Sequence, residues 1–359
     1  PNFEGVKRSA MRHLTVERAG LDPRMRPEVD SRTVPASRQT FVAVVVTHNR
    51  LAQLQVTVDR LLAESGDVLD AVLVFDNASS DGTADWLAQN GNPALHVVSS
   101  DRNLGGAGGF QQAISEALAR FNPDWMVLMD DDARPAPGTL STFRNAGERG
   151  DAHAWAAAVT YPDGRVCEMN RPWINPFRSW RDLCRSVFRG RNGFHLTHED
   201  YAGSEQRRVD GSSFVGLFLS RAAIERVGYP DGRLFLYGDD VLYTLALSQS
   251  GGAIRFDPAL VFEHDCATLS DDDAQTLFPV WKVYFYHRNL IFVYAKAAGP
   301  VLFWPVLGLK AAVWWSRAKR YGPHKGVYRR MIRFALMDGL ARRTARSFED
   351  IVALADSTD

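Results

Sequence analysis

Between residues 41 and 130 the chain alternates short unbroken apolar runs with stretches of helical spacing. Phe41–Thr47, Ala71–Asp76, Leu95–Ser99 and Trp125–Asp130 are dominated by Val, Leu, Ala, Phe and Met. Apolar runs of this length, bounded by polar residues, predict strands buried on both faces, as in a parallel sheet. Residues 51–64 carry apolar side chains at amphipathic-helix spacing, and a short helix follows the turn at 77–83 as far as Gln89. The glycine-rich turn at 104–109 opens a further helix to about Arg120. This alternation predicts an α/β fold with a mostly parallel, doubly wound sheet and right-handed crossovers.

Beyond Asp132 the pattern loosens. Residues 163–210 mix Arg, Trp, Asn, Pro and Gly with weak periodicity, which reads as a long irregular insertion near the substrate face. Residues 214–220 predict a strand, Arg221–Val227 a short helix, 242–249 another helix, and 253–256 and 259–262 two short strands. From about Trp281 the chain is helical and aromatic, then basic. Three parts are expected: an N-terminal extension over 1–40, a catalytic domain over 41–280 and a helical module over 281–359.

With 359 residues, 45% of them hydrophobic, the chain can bury a full α/β core and carry an extra module. Formal net charge is zero, which argues against bulk nucleic-acid binding, but the charge is uneven. Ten Lys or Arg and a single acid, Asp338, fall between 317 and 346, leaving the rest about nine charges negative. A basic segment on an acidic body predicts an anionic surface as partner. Cys167, Cys184 and Cys266 are too few and scattered for a disulfide framework or a zinc site, which fits a reducing cytoplasm. Residues 1–40 hold no secretory apolar region, and Met11 is a candidate natural start.

The chemistry collects at strand ends, where open α/β sheets bind ligands. Asp130-Asp131-Asp132 closes the fourth strand, and three adjacent acids call for a cation; a divalent metal holding a phosphate is the natural candidate, a solvated acidic turn the plain one. Thr47-His48-Asn49-Arg50 follows the first strand, where Arg50 could fork onto a diphosphate or simply start a helix in solvent. Asp76-Asn77 follows the second, suited to a ribose hydroxyl or base N–H, or to an Asx-turn. Asn103-Leu104-Gly105-Gly106-Ala107-Gly108-Gly109-Phe110 lets backbone approach a ligand, yet it is neither a Rossmann fingerprint nor a P-loop. Tyr237-Gly238-Asp239-Asp240 sits before a helix, as a cap or as a general base. Glu263-His264-Asp265 ends a short strand, where an imidazole could complete a carboxylate metal site.

These motifs, in this order over roughly residues 41–295, resemble the family 2 inverting glycosyltransferases of the GT-A fold, and among them the bacterial galactofuranosyltransferases that extend lipid-linked glycans. The glycine run and the triple Asp are the most specific parts. The resemblance implies that Thr47, Arg50, Asp76 and Asn103, with Gly105 and Gly106, hold the donor diphosphate. It implies Asp130, Asp132 and His264 as ligands of Mn²⁺ or Mg²⁺, with Asp130 and Asp131 facing the donor and Asp131 contacting its sugar. Asp240 would be the catalytic base, with Asp239 as neighbour and second choice.

UDP-galactofuranose is the donor this implies, and a hydroxyl of a lipid-linked or polysaccharide acceptor the target. The chain departs from polymerising relatives, which carry paired Trp where it has Ser213-Phe214-Val215-Gly216-Leu217. Tyr286-His287-Arg288-Asn289 is similar to rhamnosyltransferases of the same family, making dTDP-rhamnose the second donor. A non-catalytic nucleotide-sugar or glycan-binding protein is the alternative of another class; it would not need both a metal triad and a separate acid pair.

Residues 289–315 raise the question of a bilayer span. Lys296 and Lys310 would each cost about 2.5–3.5 kcal/mol near a helix centre, and Pro300 and Pro305 interrupt the run. The segment reads better as an interfacial module, with Phe303, Trp304, Trp314 and Trp315 at the headgroup boundary and 317–346 on anionic lipid. The plain alternative packs these aromatics on the catalytic core. A cytoplasmic enzyme peripheral to the inner face of the cell membrane is the expectation.

Overall fold

The computed structural model of the protein describes residues 38–146, 150–266 and 276–357; the expected N-terminal extension lies outside the described residues apart from 38–40. The strands are β1 (Phe41–Thr47), β2 (Ala71–Asp76), β3 (Leu95–Ser99), β4 (Trp125–Asp130), β5 (Ala133–Pro135), β6 (Ala152–Thr160), β7 (Arg207–Val209), β8 (Leu217–Ser220) and β9 (Ala253–His264). They form one sheet in the order β3-β2-β1-β4-β8-β6-β9-β5, with β7 paired to β9. The fold is α/β with a mostly parallel central sheet, as expected. β3, β2, β1 and β4 run parallel, and the antiparallel β8 separates them from the parallel pair β6 and β9.

The helices are α1 (Leu51–Leu62), α2 (Thr83–Gln89), α3 (Gly105–Phe121), α4 (Thr139–Asn145), α5 (Trp180–Arg189), α6 (His198–Ala202), α7 (Arg221–Val227), α8 (Asp239–Gln249), α9 (Lys282–Arg317), α10 (Lys325–Leu340) and α11 (Phe348–Asp356). One sheet face packs on Leu54, Val58 and Leu61 of α1, Leu87 of α2 and Phe143 of α4. The other packs on Phe110, Ala113, Ile114 and Ala117 of α3, Ile224 of α7 and Leu247 of α8. β1 is covered on both sides, which explains its unbroken apolar run; each such fully buried aliphatic side chain contributes about 1.5–3 kcal/mol.

A third apolar cluster joins the last three helices through Tyr284, Phe285, Ile291, Trp314, Tyr328, Met331, Ile332 and Ile351. α9 is interrupted at Gly299, whose φ of 66° leaves the helical region immediately before Pro300. The cause is local, because proline disfavours helical backbone in the residue before it and supplies no N–H. By length and composition the run from Lys282 to Leu340 qualifies as a candidate membrane span, with most of its apolar window outside the core.

Several boundaries differ from expectation. α8 begins at Asp239 rather than 242, because Gly238 takes a φ of 79° and starts the helix earlier. The two short strands at 253–262 are one strand, β9, whose register against β6 shifts between Ala157 and Ala158, opposite the stretch containing Pro258. β8 begins only at Leu217, after Gly216 at φ 67°. β6 was not foreseen: its alanines carry little strand preference, and burial between β8 and β9 makes it one. The irregular insertion contains α5, α6 and β7.

Candidate active site

The ends of β1, β2 and β4 lie side by side, with Thr47 opposite Asp76 and Val46 opposite Asp130. The chain leaves β4 through Asp131 and Asp132 into β5, which pairs Ala133 with His264 of β9. Strand pairing thus brings His264 to the aspartates across 132 residues: its Nε2 lies 3.2 Å from Asp132 Oδ1. Ligand atoms of Asp130, Asp132 and His264 fall within 4.8 Å of one another.

Part of the negative charge is offset by the protein itself. Arg50 forms an ion pair with Asp132 and lies 3.8 Å from Asp131 Oδ1. Thr47 donates to Asp131 Oδ2 at 2.8 Å, and Thr57 to the Asp131 carbonyl at 2.7 Å. Burial, followed by repulsion from Asp132 and Asp240, pushes the Asp130 carboxyl up to about 6 against the attraction of His264. Burial likewise lifts Asp131 to about 7, against the Thr47 hydrogen bond. Burial also acts on Asp132, but His264 and Arg50 hold it below the ordinary carboxylate range. Burial works to lower His264, yet its hydrogen bond to Asp132 and contact with Cys266 raise it to about 10. A divalent cation would replace that proton and Arg50 as the balancing charge.

The acid pair lies within electrostatic reach of this group. Asp239 and Asp240 occupy the first turn of α8, and burial raises both carboxyls; repulsion from Asp240 pushes Asp239 up further, while backbone N–H groups of Val241 and Phe214 favour ionised Asp240. Asp130 and Asp240 are near enough to repel, which ties α8 to the carboxylate cluster.

Other positions named from the sequence have partners within the protein. Asp76 is buried and accepts from Ser79 N at 3.0 Å, the Asx-turn alternative. Asn103 Oδ1 accepts from Gly105 N at 2.8 Å and from Asn77 Nδ2 at 3.1 Å. Gly105 has φ 69°, and a Cβ there would sit 2.0 Å from the Phe235 carbonyl oxygen; it serves close packing, whereas Gly106 faces open space. Arg50 points to the aspartates and Asp131 to Thr47. Cys167 and Cys266, too distant in sequence to be read as a cluster, meet beside His264 with ligand atoms within 4.8 Å.

Supporting residues escaped the sequence. Asn170 Oδ1 lies 2.8 Å from His264 Nδ1, and Asn170 is itself held by the Ser213 hydroxyl at 2.9 Å. Asn77 pins the glycine turn by accepting from Leu104 N at 2.8 Å and donating to the Gly105 carbonyl at 3.0 Å. Asn289 of α9 donates to the carbonyls of Leu234 (3.1 Å), Leu236 (2.9 Å) and Tyr237 (2.8 Å), and buried Arg288 donates to Leu234 O at 2.8 Å. Together they hold the loop leading into Asp239, in which Phe235 and Tyr237 have positive φ. Lys282 feels the charge of Arg50, which, after burial, lowers its pKa. The Asp76-Asn77 and 286–289 motifs gave notice of Asn77, Arg288 and Asn289, though not of these contacts; nothing in the sequence pointed to Asn170 or Lys282.

A family model described as "Glycosyl transferase family 2" matches residues 42–203. The chain is 32% identical over 233 residues to the galactofuranosyltransferase GlfT1 of Mycolicibacterium smegmatis, covering 64% of this chain and 72% of that protein. It is 26% identical to the N-acetylglucosaminyl-diphospho-decaprenol L-rhamnosyltransferase of Mycobacterium tuberculosis (strain CDC 1551 / Oshkosh), covering 58% of this chain and 70% of that one. The crystal structure of GalNAc-T7 with UDP, GalNAc and Mn2+ overlaps with a TM-score of 0.48 at 15% identity, over 74% of this chain and 52% of that one.

Proposed function

The chain belongs to glycosyltransferase family 2, and on that premise we propose that it transfers galactofuranose from UDP-galactofuranose, with inversion, to a hydroxyl of a lipid-linked or polysaccharide acceptor. The observation that carries this reading is that two acidic groups from distant stretches lie within electrostatic reach of one another: Asp130, Asp132 and His264 on one side, and on the other Asp240, which raises the Asp130 carboxyl, with Asp239 beside it. A binding protein needs the first group and has no use for the second.

Two carboxylates and an imidazole suit Mn²⁺ or Mg²⁺. Bound there, such an ion would neutralise charge gathering on the departing diphosphate. Asp240 accepts the proton of the acceptor hydroxyl, whose oxygen forms a bond to the anomeric carbon as the bond to the diphosphate breaks on the opposite face. A carboxyl raised by burial is a better base near neutrality than an ordinary one, because its pKa is closer to the operating pH. Asn289 and Arg288 hold the loop that aims Asp240, and Asn170 fixes the ring of His264. Arg50, paired with the aspartates, and Lys282, within electrostatic reach of Arg50, are candidate cations for the diphosphate oxygens.

The galactofuranosyltransferase relative is more similar than the rhamnosyltransferase, 32% against 26% identical, and this favours the first donor. The 286–289 motif keeps dTDP-rhamnose as the second. The exposed second half of α9, with Val301 81% and Trp304 64% accessible, and the basic residues after it support peripheral attachment to the cytoplasmic face of an anionic membrane. Trp314, expected at the headgroup boundary, is instead buried against His287.

The test is a thermal-shift screen of UDP-galactofuranose, dTDP-rhamnose and UDP-glucose with Mn²⁺, followed by an assay of released nucleoside diphosphate. Stabilisation and turnover with UDP-galactofuranose support the reading. Turnover with dTDP-rhamnose alone replaces the donor, and binding without nucleotide release removes catalysis.

A further inference from the structure

α5, in the insertion between β6 and β7, carries Trp180, Cys184, Val187 and Phe188 at positions i, i+4, i+7 and i+8, a single helical stripe. In a soluble protein such a stripe faces the core. Here it faces out: Trp180 is 75%, Val187 70% and Phe188 86% accessible, while the polar Asp182 is buried.

The helix is fixed in this orientation. Ser179 caps it by accepting from Asp182 N at 3.1 Å, and its hydroxyl donates to Asp182 Oδ2 at 2.6 Å. The turn after α5 presses on it so closely that a Cβ at Gly193 would lie 2.3 Å from the Arg185 carbonyl oxygen. At the root of the insertion Asn175 donates to the Ala297 carbonyl at 3.1 Å, two residues before the break that begins the exposed half of α9.

The surroundings of the stripe are basic. Arg178, Arg181, Arg185, Arg189 and Arg191 are all exposed, and the only acid between 178 and 191 is Asp182. Apolar residues flanked by arginines on one exposed helix are the chemistry of the boundary between lipid headgroups and acyl chains. A symmetric contact with a second copy would set arginine against arginine, which like-charge repulsion disfavours.

We infer that α5 docks on an anionic lipid surface, its apolar stripe entering the headgroup boundary and its arginines meeting lipid phosphates. This deepens the reading of a lipid-linked acceptor and rests on it only for the purpose of docking; lipid binding itself needs neither donor nor acceptor.

The experiment is flotation of the full chain with vesicles of phosphatidylcholine, with and without phosphatidylglycerol. Trp180→Ser, Val187→Ser and Phe188→Ser combined should lower partitioning at least about tenfold, since three large apolar side chains leave the lipid. Arg181→Glu with Arg189→Glu should weaken the preference for phosphatidylglycerol, the basic residues after α9 keeping the remainder, and Phe188→Leu alone should bind nearly as wild type. Thermal unfolding of each variant checks the fold. Wild-type binding by the triple variant overturns the inference, as does a solution dimer that it splits without change in vesicle binding. Nucleotide release on a water-soluble acceptor is read separately: if it fails while vesicles still bind, the proposed function falls and the docking face stands.

Discussion

At the end of β4, charge lies inside the protein; along α5 and the second half of α9, apolar side chains lie outside. Asp131 and Asp132 are each 4% accessible, whereas Val301 and Phe188 stand almost clear of the protein. The inner region satisfies its polar groups internally: Thr47, Thr57, Arg50 and His264 each take a carboxylate or carbonyl oxygen. Among the described residues the outer region has no such closure. Buried charge marks the site proposed here for an ionic ligand, which would compete with the side chains now paired to it, and exposed apolar surface marks the one proposed for a larger partner.

The sharpest way to break this contrast is at the inner region. Asp240→Asn should lower turnover about 10²–10⁴-fold while leaving donor affinity by calorimetry unchanged. Full activity in that variant would remove Asp240 from the mechanism. The same residue gives a pH signature. Its raised pKa moves protonation of the base upward, so kcat should fall as pH drops through a value above the ordinary carboxylate range of about 4. An acid limb at or below that value would contradict the burial of the pair.

Asn170→Ala comes next, with metal affinity expected to weaken roughly 10–100-fold as His264 loses its orienting partner. Unchanged Mn²⁺ titration would mean that Asn170 is only packing. Asn289→Ala should cost about 1–3 kcal/mol by leaving buried carbonyls unpaired, with a lower Tm and a partial loss of kcat. A loss of Tm alone would reduce it to scaffold. The smallest effect belongs to the outer region: Trp304→Ser should change stability by less than about 0.5 kcal/mol. A large destabilisation there would erase the distinction between the two regions.

The four parallel strands were legible because β1, β2 and β4 are buried on both faces and are written as unbroken apolar runs. The aspartates were legible because adjacent charges after such a run are costly without a partner. β6 was not, since Ala152–Thr160 becomes a strand only through neighbours far away in sequence. The start of α8 was missed because one left-handed glycine moved it by three residues. Asn77, Asn170 and Asn289 share a different reason. A side-chain amide shows its role only through the carbonyls and rings it meets, and those partners lie 26 to 94 residues away. The cysteines illustrate the converse, as sequence distance argued against a meeting that β9 brings about.

The contact of Gly105 with the carbonyl oxygen of Phe235 leaves room for a hydrogen atom and nothing larger. The glycine turn and the loop leading into Asp239 are thus machined against each other. A change made in one is inherited by the other, and a library that admits even alanine at this position would shift the proposed donor turn and the proposed base together.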